Sequence, residues 1–247
     1  MKANKPELIV NGKRLDGRDF GDLRSLKITA SVLDNADGSA YVEWGNNKIL
    51  AAVYGPKEVF PKHFADPTKA IVKCRYSMAP FSSLEEHSRS GPNRRAIEIS
   101  KVTKDVFENV IMLNEFPNSE IDIFIEVLQG DGGTRAAGVT AASVALANAG
   151  IHMKDMVYAV SAGKLGDTIV IDLNKIEDNY SDCDIPIAVA PRNNDILLLQ
   201  MDGSLTREEL RKAISMVVEA GKKISSIQKE ALRSVYAKIA EKYENGV

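Results

Sequence analysis

Six residues near the middle of the chain, Gly130-Asp131-Gly132-Gly133-Thr134-Arg135, have the types and order needed to hold an anion. Glycines let a backbone turn tightly and aim several N–H groups at one point. The stretch follows a strand pattern, with Ile121, Ile123, Ile125 and Val127 alternating with Asp122, Phe124 and Glu126. It precedes the small-residue run Ala136-Ala137-Gly138-Val139-Thr140-Ala141-Ala142, expected to form a helix that ends near Asn148 with Gly150 as its stop. A glycine turn at a helix start puts the positive end of the helix dipole at the turn. Arg135 adds a planar cation where the dipole disfavours one, and a bound phosphate would offset that cost. No Gly-Lys-Ser/Thr follows, so the turn is not a Walker A loop.

Two further groups carry chemistry. Arg94 and Arg95 follow Gly91-Pro92-Asn93 and open a second helix pattern over 94–114, in which Ile99, Val102, Val106, Val110 and Leu113 recur at spacings of three and four. They form a second candidate anion site. The segment 57–104 holds ten basic residues against five acidic ones (Glu58, Asp66, Glu85, Glu86 and Glu98), in a chain of net charge −2. Lys57, Lys62 and Arg89 belong to it, with Phe60, Phe64 and Phe81 interleaved as candidate stacking surfaces, a combination that favours a polyanionic partner. Beyond the strand pattern 168–173, Glu177, Asp178, Asp182 and Asp184 form an acidic loop that could hold Mg²⁺ or Mn²⁺, or supply a general acid. Asp184 directly precedes the apolar Ile185-Pro186-Ile187-Ala188-Val189 and is the strongest single carboxylate. His63, His87 and His152 show no zinc-site spacing.

These groups need a scaffold. The 247 residues are 44% hydrophobic and 27% charged, an ordinary globular composition with length enough for a core. Cys74 and Cys183 stand far apart and support no disulfide framework, which fits a reducing compartment. No run is long enough to span a membrane, and Met1 to Pro6 lacks the apolar core of a signal peptide, so a cytoplasmic location is expected. Residues 1–24 read as an extended arm with a turn at 15–19. Strands over 28–33, 40–44 and 48–54, joined by Gly/Asn turns, read as an antiparallel meander, with another strand at 70–78 and a polar loop over 79–93. A second strand-rich stretch covers 157–201, with Gly166-Asp167 as a hairpin turn. The last element is a long amphipathic helix over 206–243, opened by the capping box Thr206-Arg207-Glu208-Glu209. Leu210, Ile214, Val217, Gly221, Ile224, Ala231, Val235 and Ile239 would line its buried stripe. The order implies an α+β protein with helices packed on mixed or antiparallel sheets, organised as one domain over 1–247.

The four ordered motifs together resemble the RNase PH family. Gly-Asp-Gly-Gly-Thr-Arg resembles its phosphate-binding motif, Arg94 to Lys101 its arginine-bearing helix start, and Asp172-Leu173 with Glu177-Asp178 and Asp184 its acidic motif. Arg14-Leu15-Asp16-Gly17-Arg18 is similar to the arm of the exosome branch, and the chain looks most like the catalytic RNase PH-like subunits of archaeal exosome cores. Ile97 stands where bacterial RNase PH usually has Gln. The resemblance implies an RNase PH fold, related to the second domain of ribosomal protein S5. It also implies phosphorolysis, in which inorganic phosphate as co-substrate releases nucleoside diphosphates from the 3′ end of single-stranded RNA, reversible as RNA tailing. It places phosphate on Arg95, Gly133, Thr134 and Arg135, and RNA on Lys62, Arg94, Arg95 and Arg135. Catalysis and a Mg²⁺ or Mn²⁺ ion would fall to Asp178 and Asp184, with Asp178, Asp182 and Asp184 all candidates for proton donor. The implied partners are a homologous inactive subunit, alternating with this chain in a hexameric ring, and RNA-binding cap proteins. The residues by themselves also allow a non-catalytic RNA-binding ring subunit or a small-molecule phosphotransferase.

Overall fold

A computed structural model describes residues 6–83 and 93–244, apart from the side chains at 238, 239 and 242–244. His87, Glu85, Glu86, Arg89, Gly91 and Pro92 of the expectations above lie outside the described residues, as do Met1 to Lys5 and the Ile239 side chain.

The arm is not simply extended. It forms a small antiparallel hairpin, β1 (Ile9–Val10) and β2 (Lys13–Arg14), and Arg14 is buried. The sheets follow. β3 (Leu26–Ala30), β4 (Gly38–Trp44) and β5 (Asn47–Glu58) make the expected antiparallel meander. β6 (Ile71–Met78) and β7 (Ser119–Gln129) complete a sheet of order β3-β4-β5-β7-β6, in which β6 runs parallel to β7. A parallel pair needs a crossover, which α1 (Arg94–Val110) supplies by packing on β6. Asn93 caps α1 by accepting from Ala96 N–H at 2.7 Å. The helix stops four residues short of the expected end because Ile111 turns extended and bridges to Met153, so Leu113 lies in a following 3₁₀ turn.

α2 (Thr134–Asn148) follows the glycine turn, and Gly150 closes it with φ +73°. Nearly every one of its residues is buried, because it packs against strands of both sheets. Its Ala, Gly, Ser and Thr side chains are small enough for that double contact. The second sheet has the order β11-β10-β8-β9, built from β8 (Tyr158–Leu165), β9 (Thr168–Ile171), β10 (Cys183–Ala190) and β11 (Asp195–Leu199). The expected hairpin at Gly166-Asp167 joins β8 to β9.

The expected acidic loop is instead partly helical. α3 (Lys175–Tyr180) is opened by a capping box, in which Asn174 accepts from Glu177 N–H and the Glu177 carboxylate accepts from Asn174 N–H, both at 3.0 Å. The short β12 (Asp202–Gly203) pairs with β10, and α4 (Arg207–Glu244) ends the chain. The Thr206–Glu209 capping box forms as expected. One hydrophobic cluster runs through both sheets, from Ile28 and Ile125 to Ile187 and Ile224.

Candidate active site

The glycine turn leaves the end of β7 and is held from several sides. Gly132 and Gly133 take φ of +74° and +68°, left-handed values that only glycine adopts readily. A Cβ on Gly132 would lie 2.6 Å from the backbone carbon of Asn174, so the turn sits directly on the start of α3. Arg24 donates to Asp131 O at 2.5 Å and Gly132 O at 3.2 Å, and Asn47 donates to Gly132 O at 2.7 Å. No side chain caps the start of α2, so its dipole end is available to an anion. Thr134 is buried and its hydroxyl accepts from the Tyr76 hydroxyl at 2.9 Å.

Around this turn, α1, α2, α3 and β10 converge. A cavity of about 690 Å³ is lined by Arg95, Arg135, Asp178 and Asp184, with Gln200 and Asp202 among the remaining wall residues. A smaller cavity of about 80 Å³ adjoins it, lined by Gly132, Thr134 and Lys175, and shares Arg95, Asp178 and Asn179 with the first. Residues of α1 and α2 thus bring two guanidinium groups to one space with two carboxyl groups. Gly133 lines neither cavity, and the position of its absent Cβ faces Ser161 and Arg24. Arg94 and Lys62 also lie outside both cavities; each is exposed, and Lys62 pairs with Glu58 at 2.6 Å.

The electrostatics differ for each acid. Burial and the neighbouring Asp178 push the Asp184 carboxyl up to about 7, although Arg135 and Arg95 pull it back. Its Oδ1 is buried with no hydrogen-bond partner. Burial also raises Asp178, opposed by Arg95, Arg135 and Arg24. Asp182 lines the cavity and its carboxylate accepts from Gly166 N–H at 2.9 Å. Glu177 leaves the acidic cluster altogether: it is fully buried and paired with Arg14, whose Nε donates to it at 2.7 Å. Asp172 is likewise structural, accepting from Arg24 Nη2 at 2.7 Å and from Trp44 Nε1 at 3.0 Å. Among the described residues, no three His, Cys, Asp or Glu side chains group as a metal site.

Comparison with known proteins decides the family. The model for domain 1 of the 3′ exoribonuclease family, RNase PH, matches residues 22–152, and that for its domain 2 matches 155–220. The chain belongs to the RNase PH family. Exosome complex component Rrp41 of Thermococcus kodakarensis is 55% identical over 234 residues, covering 95% of this chain and 94% of that protein. Its counterpart from Thermoplasma acidophilum is 56% identical over 237 residues, covering 96% and 95%. The RNase PH fold is also that of rice Rrp46, with a TM-score of 0.81 at 26% identity, over 89% of this chain and all of that one (100%). A chain of the Archaeoglobus fulgidus exosome with RNA bound to the active site shares the fold, with a TM-score of 0.77 at 20% identity over 87% and 92%.

Sequence reasoning missed Arg24 and Asn47, which hold the turn, Gln200, which holds Arg135, and Glu98, which Gln200 bonds beside Arg135. Asn47 offered a signal, as a polar residue at the start of a buried strand. Gln200 offered none, since its partners are distant in sequence.

Proposed function

We propose that this chain is the catalytic subunit of an exosome-type ring, a phosphate-dependent 3′→5′ exoribonuclease that releases nucleoside diphosphates. The observation that carries this reading is the single cavity in which Arg95 and Arg135 face Asp184, a carboxyl that holds its proton near neutral pH and has an unpartnered buried oxygen. Close relatives named as exosome components support the assignment.

The geometry suits phosphoryl transfer, in which positioning and charge stabilisation do most of the work. Arg95 and Arg135, with Thr134 and the start of α2, would hold inorganic phosphate; Gly133 serves by shaping the turn. The two cations offset repulsion between the anionic nucleophile and the RNA backbone. A phosphate oxygen attacks phosphorus of the last phosphodiester, and the bond to the preceding 3′ oxygen breaks. Asp184 gives its proton to that oxygen, leaving a 3′ hydroxyl on the shortened RNA and a free nucleoside diphosphate. The reverse step adds nucleotides when diphosphate is abundant.

Asp178 and Asp184 supply two carboxyl groups for a divalent cation, and among the described residues no third His, Cys, Asp or Glu groups with them as a metal site. Mg²⁺ commonly binds one or two carboxylates with water and substrate phosphate completing its shell. Held by ionised carboxylates, such an ion would stabilise charge on the leaving oxygen in place of the Asp184 proton. The exposed side chains of Phe60, Phe64 and Phe81 support stacking on bases, and Lys62 and Arg94 supply backbone contacts outside the cavities. The partner in the ring would be a homologous inactive subunit, with RNA-binding caps above the pore. None of the described helices is long and apolar enough to cross a membrane. The free thiols of Cys74 and Cys183 fit a cytoplasmic site. We also take the chain as one folding unit, supported by its continuous core.

Asp184→Asn tests the reading in the assembled ring. Diphosphate release in the presence of phosphate should fall by about 10²–10⁴-fold with RNA binding retained. Release at the wild-type rate would refute the role given to Asp184, and no phosphate-dependent release from the wild-type ring would refute the function.

A further inference from the structure

Gln200 occupies the link between β11 and β12. Its backbone N–H donates to Pro186 O at 3.3 Å, which ties it to β10 two residues beyond Asp184. Its side-chain oxygen accepts from Arg135 Nη1, and its Nε2 donates to Glu98 Oε1 at 2.8 Å. Glu98 stands on α1 three residues after Arg95, and the same Oε1 lies 3.6 Å from Arg135 Nη2. Arg95, Glu98, Arg135 and Gln200 all line the larger cavity. One residue therefore touches the strand of the acid through its backbone, and the arginine of α2 and the helix that carries the other arginine through its carboxamide.

We infer that Gln200 is a positioning residue for the attacking phosphate: its neutral oxygen fixes the Arg135 guanidinium while its amide holds Glu98 in a looser ion pair with that cation, at 3.6 Å rather than in direct hydrogen-bond contact. The inference rests on the phosphorolytic reading of the cavity. An arginine needs an acceptor to hold it still, but a carboxylate in that place would cancel the charge that draws phosphate. A carboxamide supplies the acceptor without the charge. Glu98 is the nearby competitor. Its side chain is half exposed, and its oxygen forms an ion pair with Nη2 at 3.6 Å that is too long for a hydrogen bond. The bond from Gln200 Nε2 holds that oxygen off. Without it, Glu98 is free to close on Arg135 and compete with the incoming anion.

Three variants separate this from a merely structural role, each measured by calorimetric titration of the chain with inorganic phosphate and by turnover of the assembled ring. Gln200→Ala should weaken phosphate binding about tenfold, the size of one charge-assisted hydrogen bond. The KM for phosphate should rise alike while kcat and the KM for RNA stay within about twofold, as expected when binding common to ground and transition states is lost. Gln200→Glu keeps the shape and the acceptor but adds a charge, and should weaken phosphate at least as much. It also serves as the test should Gln200→Ala fail to fold. Adding Glu98→Gln to Gln200→Ala should restore most of the affinity, because the competing charge is gone. Phosphate affinity unchanged in both Gln200 variants, a loss confined to kcat, or no rescue by Glu98→Gln would each overturn the inference. A wild-type ring without phosphate-dependent diphosphate release would instead overturn the reading beneath it.

Discussion

Replacing Arg14 by alanine should destabilise this chain more than the position of Arg14 in a terminal arm suggests. Arg14 and Glu177 side chains are both 0% exposed. Arg14 meets the carboxylate with two nitrogens and also donates to Ile171 O at 2.7 Å and Asp172 O at 2.9 Å. In Arg14→Ala, Glu177 would stay in the interior with only Asn174 N–H at 3.0 Å and Arg18 Nη2 at 3.7 Å. Removing one partner of a buried pair costs about 3–5 kcal/mol, since the other charge is left without compensation. In a chain of this length each kcal/mol shifts Tm by roughly 2–4 °C, so a fall of about 6–20 °C is expected. The assay is urea unfolding followed by fluorescence of Trp44, the single tryptophan, whose indole N–H donates to Asp172 at 3.0 Å within the same network. A single transition would agree with one folding unit, and two separate transitions would refute it. The apolar double variant Arg14→Met with Glu177→Leu should regain most of the loss, because replacing both members of a buried pair removes the desolvation cost as well. A loss below about 1 kcal/mol in Arg14→Ala, with no recovery in the double variant, would show that the pair contributes nothing of the kind.

Asp184→Asn should stabilise the chain at pH 8 by roughly 2–4 kcal/mol and be neutral below about pH 4, read by urea unfolding at the two pH values. The sign follows from a folded carboxyl raised to about 7 from an ordinary 3.8: wild-type stability declines as pH rises between those values, and the cost is fully present above pH 7. Gly221→Ala should cost about 1–3 kcal/mol in the same assay, because its Cβ would lie 1.9 Å from Cζ of the buried Tyr158 ring, which would have to shift within the core.

Much of the scaffold was written locally. The alternation in 121–127, the three-and-four spacing from Ile99 to Val110 and the Thr206–Glu209 box each specify an element from neighbours a few residues apart, and each element formed. Boundaries failed where tertiary contacts intervened. Leu113 continued the helical spacing, yet the bridge of Ile111 to Met153 ended the helix first. The acidic run held enough information to start α3, since Asn174 and Glu177 form a capping box, but the box was obscured by the density of carboxylates. The charge surplus of 57–104 misled differently. Lys57 and Lys73 are met by Glu120, and Lys57 also by Asp122, so β7 neutralises part of it through strand pairing.

The sequence alone determined which residues are capable of the chemistry: glycines for left-handed turns, arginines at two helix starts, and a carboxyl at the edge of an apolar strand. Backbone preference and periodicity act over a turn or two, and they suffice for that. Only the tertiary structure decided which of these residues meet. It seated Arg14 on Glu177 across 163 residues and Gln200 on Arg135 across 65, removing one acid from the chemistry and steadying one cation within it. Such pairings are set by sheet register and helix packing, where burial leaves an ionised group stable only beside a partner.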